Sequence, residues 1–286
     1  MVLSDGREAE LIARDGGWIL QIDGIRQSHV VAAGEPPPLA TTRWLLAALG
    51  EDRRSLVHLG GGLMTLPRAV ASGSPHARQV AVELDAALAA LVRDRFPLPE
   101  GIVVDVADAR AWLDGGGRDE WTRGACDAVV IDVFAGGRIP ASFTSAECFA
   151  AARALLKPSG VLLVNSVAGG DLGFTRRELA TLRAEFAQVA MIVQGSSLHG
   201  LRFGNAVLIA SDEPVEEDRI RAALKGDASR GALVTDLEEL VGDAEVVRDA
   251  DELWSPVPDL PDTGPALRLL NQTRSLGSAL RGVTER

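Results

Sequence analysis

The chain has 286 residues, of which 47 % are hydrophobic and 24 % charged, and its formal net charge at pH 7 is −11. This composition fits a globular protein with a substantial hydrophobic core and excludes a disordered or fibrous chain. The excess of negative charge would repel a phosphate backbone, so we expect no nucleic-acid partner.

The sequence contains no apolar run long enough for a transmembrane helix, and its first residues, MVLSDGREAELIARD, are charged throughout. We therefore expect a cytoplasmic protein without a membrane partner. Cys126 and Cys148 are the only cysteines, and they lack the spacing of metal ligands. We expect them to be buried small side chains, and we expect no metal cofactor.

Short apolar runs between residues 7 and 32 are interrupted by Asp-Gly pairs at 15–16 and 23–24, a pattern that predicts a small β-meander. Three consecutive prolines at 36–38 exclude both a helix interior and a paired strand. We therefore interpret residues 1–38 as an N-terminal β-hairpin domain with its linker. Because such hairpins bury little surface alone, we expect a homodimer or a higher homo-oligomer.

Seven apolar runs alternate with helical patterns between residues 39 and 211, beginning with SLVHL at 55–59 and ending with NAVLIAS at 205–211. Continuously apolar runs suit parallel strands that are buried on both faces. The pattern predicts an α/β domain over 39–211 with a doubly wound, seven-stranded Rossmann-like sheet. We interpret residues 212–286 as a partly irregular C-terminal extension, in which residues 266–286 have the pattern of a helix.

Three consecutive glycines, Gly60, Gly61 and Gly62, stand between the first predicted strand of this sheet and a helical pattern, in the stretch HLGGGLMTLPRAV. At such a turn, backbone N–H groups and the positive end of the helix dipole face a ligand, and the absence of Cβ atoms lets the ligand come close. The stretch is therefore interpreted as a nucleotide-binding turn.

Acidic residues recur at the predicted carboxyl ends of the next three strands. Glu83, Asp108 and Asp132 follow one another at intervals of 25 and 24 residues, each about one βα unit. Such strand ends open onto one crevice, where open α/β sheets bind ligands. There Glu83 can accept both hydroxyls of a ribose, and Asp108 can accept from an adenine amino group while the Ala109 N–H donates to the ring. The competing interpretation is that Glu83 and Asp108 cap helices.

The motifs HLGGG, VELD, VADA, VVIDV and LLKPSGVLLVN, in this order, resemble those of class I S-adenosylmethionine-dependent methyltransferases. Ahead of them, ILQIDGIRQ is similar to the entry hairpin of spermidine synthases. The stretches GGGLMTLPRAV, IPASFTSAECFAAARALLKPSGVLLVN and FGNAVLIAS further resemble that family's glycine loop, its catalytic loop through the fifth strand, and its last strand. The resemblance covers roughly residues 12–211.

The resemblance to spermidine synthases implies a donor and a base. The donor would be S-adenosylmethionine or its decarboxylated form, and Asp132 would accept the proton of an attacking amine during in-line displacement at a carbon bonded to the sulfonium. A buried Asp132 would need a raised pKa for that task. The residues that the resemblance assigns to the adenosyl donor are Gln27, Gly60, Glu83, Asp108 and Ala109.

Three features differ from the pattern of spermidine synthases, and all concern the acceptor. Ala135 replaces a second acid of the catalytic loop, Arg138 places a cation where a polyamine would bind, and the chain has no tyrosine. Arg138 could instead pair with a carboxylate, and His29, which follows the donor site, is a candidate base or a structural residue.

We therefore expect methyl transfer to an unidentified small molecule, with little or no formation of spermidine. The alternatives are polyamine aminopropyl transfer and a catalytically silent nucleoside-binding or assembly protein.

Overall fold

The computed structural model describes residues 1–14, 16–118 and 122–257, and the chain up to Pro256 forms one compact unit. A three-stranded antiparallel sheet comes first, with β1 (Ala9–Arg14), β2 (Gly17–Ile22) and β3 (Ile25–Val30). This confirms the predicted meander. The tail helix predicted for residues 266–286 lies outside the described residues.

The turn between β2 and β3 follows from its sequence. Asp23 and Gly24 have φ angles of 50° and 76°, a pair of positive values that Asp-Gly adopts in tight hairpins. One side of the small sheet contributes Leu20 and Val30 to a hydrophobic cluster with Leu63. The small sheet is therefore packed against the segment that follows the glycine turn.

The strands of the main sheet are β4 (Ser55–Leu59), β5 (Arg78–Glu83), β6 (Ile102–Val106), β7 (Cys126–Ile131), β8 (Leu156–Ala168), β9 (Gln188–Gln194), β10 (Gly204–Ser211) and β11 (Gly231–Val234). Within the described residues, these eight strands lie in the order β11-β9-β10-β8-β7-β4-β5-β6. Strands β4 to β8 are parallel to one another, whereas β10 is antiparallel to β8 and β9, and β11 is antiparallel to β9.

All seven predicted strands are present, and the doubly wound α/β class is confirmed. The eighth strand, β11, comes from residues beyond 211 and pairs with the outer edge of β9. An unpaired edge would expose backbone hydrogen-bonding groups, which this short strand covers along part of β9.

Helices cover both faces of the main sheet. One face packs against Phe149 of α5 and Leu179 of α6, and the other packs against Leu45 of α1 and Ile220 of α8. The helices are α1 (Ala40–Leu49), α2 (Thr65–Gly73), α3 (Ala86–Arg95), α4 (Ala109–Asp114), α5 (Ala146–Arg153), α6 (Gly173–Glu185), α7 (Gly195–Leu198), α8 (Glu217–Leu224) and α9 (Glu238–Val241).

In the described part of the chain, none of the helices has the length and apolar character needed to cross a bilayer. Within the same residues, no three His, Cys, Asp or Glu side chains are placed to hold a metal ion. Cys126 and Cys148 are buried free thiols, as the sequence predicts.

Residues 247–256, which we call the strap, return across the segment that follows β7. The carbonyl oxygen of Val247 accepts from the N–H of Ala146 at 2.9 Å. Near the other end, the N–H of Ser255 donates to the carbonyl oxygen of Ile139 at 3.1 Å. Between these points Thr144 Oγ1 donates to the carbonyl oxygen of Leu253 at 3.0 Å. The strap is therefore hydrogen bonded along residues 139–146.

Candidate functional site

The candidate site lies where the direction of chain winding reverses in the main sheet. Strand β4 stands between β5 and β7, and Leu59 at its end is in register with Val82 of β5 and Ile131 of β7. The next residues of the three strands, Gly60, Glu83 and Asp132, are therefore neighbours at the carboxyl edge. Open α/β sheets bind ligands at such switch points.

Gly60 meets a steric requirement at this edge. Its φ is 91°, and a Cβ atom there would lie 2.2 Å from the carbonyl oxygen of Asp132. The same residue donates its N–H to the carbonyl oxygen of Val82 at 2.9 Å, which fixes the backbone between two strands. Gly62 also has a positive φ, of 51°. Backbone geometry therefore favours glycine at both positions. The N–H groups of the turn, which the sequence analysis expects to face a ligand, instead donate to Val82 and Glu83.

Glu83 closes β5 and holds the glycine turn. Its Oε2 atom accepts from the N–H groups of Gly61 at 3.1 Å and Gly62 at 2.8 Å, and its Oε1 atom accepts from the N–H of Asp85 at 3.0 Å. The cap of α3 is Asp85, whose carboxylate accepts from Leu88 N–H at 2.7 Å. Asp85, and not Glu83, is therefore the N-cap of α3, and the Glu83 carboxylate bonds the glycine turn instead.

Asp108 is the N-cap of α4, because its Oδ1 atom accepts from the N–H of Ala111 at 2.8 Å. The capping interpretation is correct for this residue. The side chain is exposed, and its Oδ2 atom makes no hydrogen bond to the described residues. Ala109, the first residue of α4, is buried. One carboxylate oxygen of Asp108 thus remains available to a ligand.

Strand β3 brings Gln27 and His29 to the neighbourhood of the glycine turn. Ser28, between them, hydrogen bonds through Oγ to Thr65 Oγ1 at 3.0 Å, and Thr65 is the first residue of α2. Gln27 is partly buried, whereas His29 is buried and its Nδ1 atom is hydrogen bonded to Arg26. The His29 ring therefore contacts Arg26 of its own strand.

The carboxylate of Asp132 is the acceptor at the end of a chain of two hydrogen bonds from asparagine amides. Its Oδ1 atom accepts from Asn165 Nδ2 at 2.7 Å, and Asn165 Oδ1 accepts from Asn205 Nδ2 at 3.1 Å. Burial raises the pKa of the Asp132 carboxyl, and the hydrogen bond from Asn165 opposes that rise. Sequence reasoning missed both asparagines. The available signal was an amide residue inside each of the apolar runs GVLLVNSV and NAVLIAS.

The loop after Asp132 closes into a tight turn. Gly136 and Gly137 have φ angles of 58° and 76°. Ala135 and Arg138 flank them and exchange backbone hydrogen bonds of 2.8 and 3.1 Å. Arg138 then turns toward the strap, where its Nε atom donates to the carbonyl oxygen of Ser255 at 2.6 Å. The structure therefore brings the strap, which sequence reasoning did not connect with the site, next to this loop.

No family model matches the chain. A probable polyamine aminopropyl transferase of Bifidobacterium longum is 31 % identical over 118 residues, which are 41 % of this chain and 25 % of that protein. A polyamine aminopropyltransferase of Chromobacterium violaceum is 28 % identical over 137 residues, which are 46 % of this chain and 51 % of that protein. The matched regions therefore span a quarter of one curated relative and about half of the other.

Among solved structures, a probable spermidine synthase from Corynebacterium glutamicum has a TM-score of 0.76 and 28 % identity, over 89 % of this chain and 95 % of that chain. The strand order and the glycine turn at the switch point define the fold of class I S-adenosylmethionine-dependent methyltransferases. With this fold, the chain is similar in sequence and structure to proteins named polyamine aminopropyltransferase and spermidine synthase, as its motifs predicted.

Proposed function

We propose that this chain transfers a 3-aminopropyl group from decarboxylated S-adenosylmethionine to an amine acceptor. The observation that carries the proposal is Asp132, a carboxyl group with a raised pKa and an amide partner, beside Gly60 at the switch point. The names of the similar proteins, two polyamine aminopropyltransferases and a spermidine synthase, support the same transfer.

Aminopropyl transfer takes the place of methyl transfer, the reaction expected from the sequence. The expectation of methyl transfer rested on Ala135, Arg138 and the absence of tyrosine. These features concern the acceptor and say nothing about which group leaves the sulfonium. The similar proteins, in contrast, are named for the group that they transfer.

The adenosyl donor would bind across the carboxyl ends of β4, β5 and β6. The N–H groups of Gly61 and Gly62 fix the orientation of Glu83, whose remaining lone pairs would accept from the ribose hydroxyls. The free oxygen of Asp108 and the N–H of Ala109 would contact the adenine. Because these groups are already oriented by backbone hydrogen bonds, little ordering is needed when the donor binds.

Asp132 would act on the acceptor. The amine nitrogen attacks the methylene carbon that is bonded to sulfur, the C–S electron pair passes to sulfur, and methylthioadenosine leaves. The proton of the attacking amine passes to Asp132. Its raised pKa makes the Asp132 carboxylate a stronger base than an ordinary aspartate, and Asn165 holds one of its oxygens in place.

The test is an assay of the purified full chain with decarboxylated S-adenosylmethionine and 1,4-diaminobutane or other amines, with methylthioadenosine measured by mass spectrometry. We expect release of methylthioadenosine that depends on an amine and falls by a factor of about 10²–10⁴ in Asp132→Asn. Asp243→Asn removes a fully exposed carboxylate and is the matched control. S-adenosylmethionine replaces the donor in a parallel assay.

Three results would overturn the proposal. Formation of S-adenosylhomocysteine from S-adenosylmethionine, with no use of the decarboxylated donor, would establish methyl transfer instead. Equal rates for Asp132→Asn and Asp243→Asn would remove Asp132 from the reaction. Binding of methylthioadenosine without turnover of either donor would support the silent nucleoside-binding protein.

A further inference from the structure

The guanidinium of Arg138 makes two contacts with the strap at the edge of the loop that follows Asp132. Its Nε atom donates to the carbonyl oxygen of Ser255, and its guanidinium carbon lies 5.3 Å from the ring centroid of Trp254. Ser255 is fully buried, and its Oγ atom accepts from the N–H of Ile139 at 2.9 Å. A buried anchor and an aromatic ring therefore fix the direction of this side chain.

The two terminal nitrogens of this guanidinium, Nη1 and Nη2, make no hydrogen bond or ion pair with the described residues. Arg110, which also contacts the strap, differs in this respect because both of its terminal nitrogens bond Asp249 at 2.8 Å. The chain has 40 acidic and 29 basic residues. A positioned arginine with no carboxylate partner in the described part of so acidic a chain offers its planar pair of donors to an external anion.

The loop joins this cation to the proposed base. The hairpin turn begins at Ala135, three residues after Asp132, and ends at Arg138. Residues 133–137, VFAGG, contain no acidic side chain that could pair with a second ammonium in this loop. Trp254 is 43 % exposed, so its ring adds apolar surface beside the guanidinium. This edge of the site therefore disfavours a diamine and favours an anionic group carried on a short apolar chain.

We propose that the acceptor is a zwitterionic amine of the ω-amino acid class, whose carboxylate binds Arg138 beside Trp254 while its amine faces Asp132. The transfer of an aminopropyl group to this acceptor rests on the proposed function, whereas the binding of its carboxylate by Arg138 does not. In the reaction, the amine nitrogen bonds the methylene carbon next to sulfur, the C–S pair leaves with methylthioadenosine, and the amine proton passes to Asp132. The carboxylate is unchanged.

The first experiment measures binding by isothermal titration of the full chain saturated with methylthioadenosine. The probes are 3-aminopropanoate, 4-aminobutyrate and 5-aminopentanoate, each compared with the diamine of the same carbon number. We expect at least one amino acid to bind ten times more tightly than its diamine. Arg138→Gln should abolish this preference. Arg95→Gln is the matched control, because Arg95 lies 5.0 Å from the ring centroid of Trp18 in the same kind of contact.

The second experiment measures release of methylthioadenosine from the decarboxylated donor with the same six amines. We expect a higher kcat/KM with an amino acid than with its diamine, and a loss of tenfold or more in Arg138→Gln for the amino acid alone. Faster turnover of the diamine, unchanged in Arg138→Gln, would overturn the inference and leave the proposed function in place.

Absence of turnover with every amine would overturn the proposed function, and the titration would still decide the acceptor class. Amino acids that bind no more tightly than diamines, or a preference that survives Arg138→Gln, would show that Arg138 does not select the acceptor.

Discussion

At Gly60 the backbone leaves no room for a side chain, because an added Cβ would meet the carbonyl oxygen of Asp132 at 2.2 Å. We expect Gly60→Ala to lower the free energy of unfolding by about 1–3 kcal/mol, measured by urea denaturation. Gly73→Ala, at the end of α2 with nothing within 4 Å, should raise it by about 0.4–1 kcal/mol. Similar effects of the two changes would contradict the close contact at Gly60.

Asn165 positions Asp132 and adjusts its pKa. Its hydrogen bond stabilises the carboxylate, so Asn165→Ala should raise the pKa of Asp132 further. A base must be unprotonated, and the acidic limb of the pH profile of kcat/KM should therefore move to higher pH. Asn205→Ala, which acts through Asn165, should move it less. A purely structural role would lower the rate at every pH without moving the limb.

Single residues were predictable where they interrupt a pattern that has a physical reason. The glycines after β4, the acid that ends β5 and the acid after β7 mark strand ends, and the strand register makes them neighbours. The partners of Asp132 were not predictable, because Asn165 and Asn205 come from strands whose pairing is long in sequence. Trp254 was also missed, because it contacts Arg138 from a position far along the chain.

The strap depends on hydrogen bonds that are buried at one end. Ser255→Ala would leave the Ile139 N–H without its side-chain acceptor in a buried place. We expect a loss of about 1–3 kcal/mol in the free energy of unfolding and faster amide hydrogen exchange in residues 132–140. Ser159→Ala, at an exposed serine, should change stability by less than about 0.5 kcal/mol. Unchanged exchange in Ser255→Ala would mean that the strap does not hold the loop.

Elements were predictable in proportion to their length and apolar content. The seven continuous apolar runs became strands because both faces of the sheet are covered by helices. Strand β11 has only four residues, GALV, too few to show a period, and its place was decided by the open edge of β9. The strap has no repeating pattern because its hydrogen bonds are individual contacts with residues 139–146.

The stability of the whole molecule should depend on pH through Glu178. This residue of α6 is fully buried, its Oε2 atom is hydrogen bonded to Ser166 Oγ, and burial raises the pKa of its carboxyl to about 8. Between the ordinary value of 4.5 and about 8, the folded chain keeps a proton that the unfolded chain has lost. The free energy of unfolding should therefore fall as pH rises, by at most about 1.4 kcal/mol per pH unit.

Glu178→Gln removes this proton linkage while keeping the shape of the neutral carboxyl group. Urea denaturation from pH 5 to pH 9 should show a smaller decline in the variant than in the unchanged chain, with the two curves separating most below about pH 8. Parallel curves over that range would contradict a protonated Glu178.

The expected homodimer or higher oligomer stays a prediction. Sedimentation of the full chain can decide it by comparison with the monomer mass of 30.1 kDa.

The hydrogen bonds from Gly61 and Gly62 to Glu83 have a consequence for the speed of recognition. A turn that is already closed on its own carboxylate does not have to search for its bound shape after an encounter. Association with a nucleoside should then proceed in one kinetic phase whose observed rate rises linearly with ligand concentration, without the plateau that a slow rearrangement imposes. Gly61 and Gly62 would thus set the kinetics of ligand capture as well as the space that the ligand occupies.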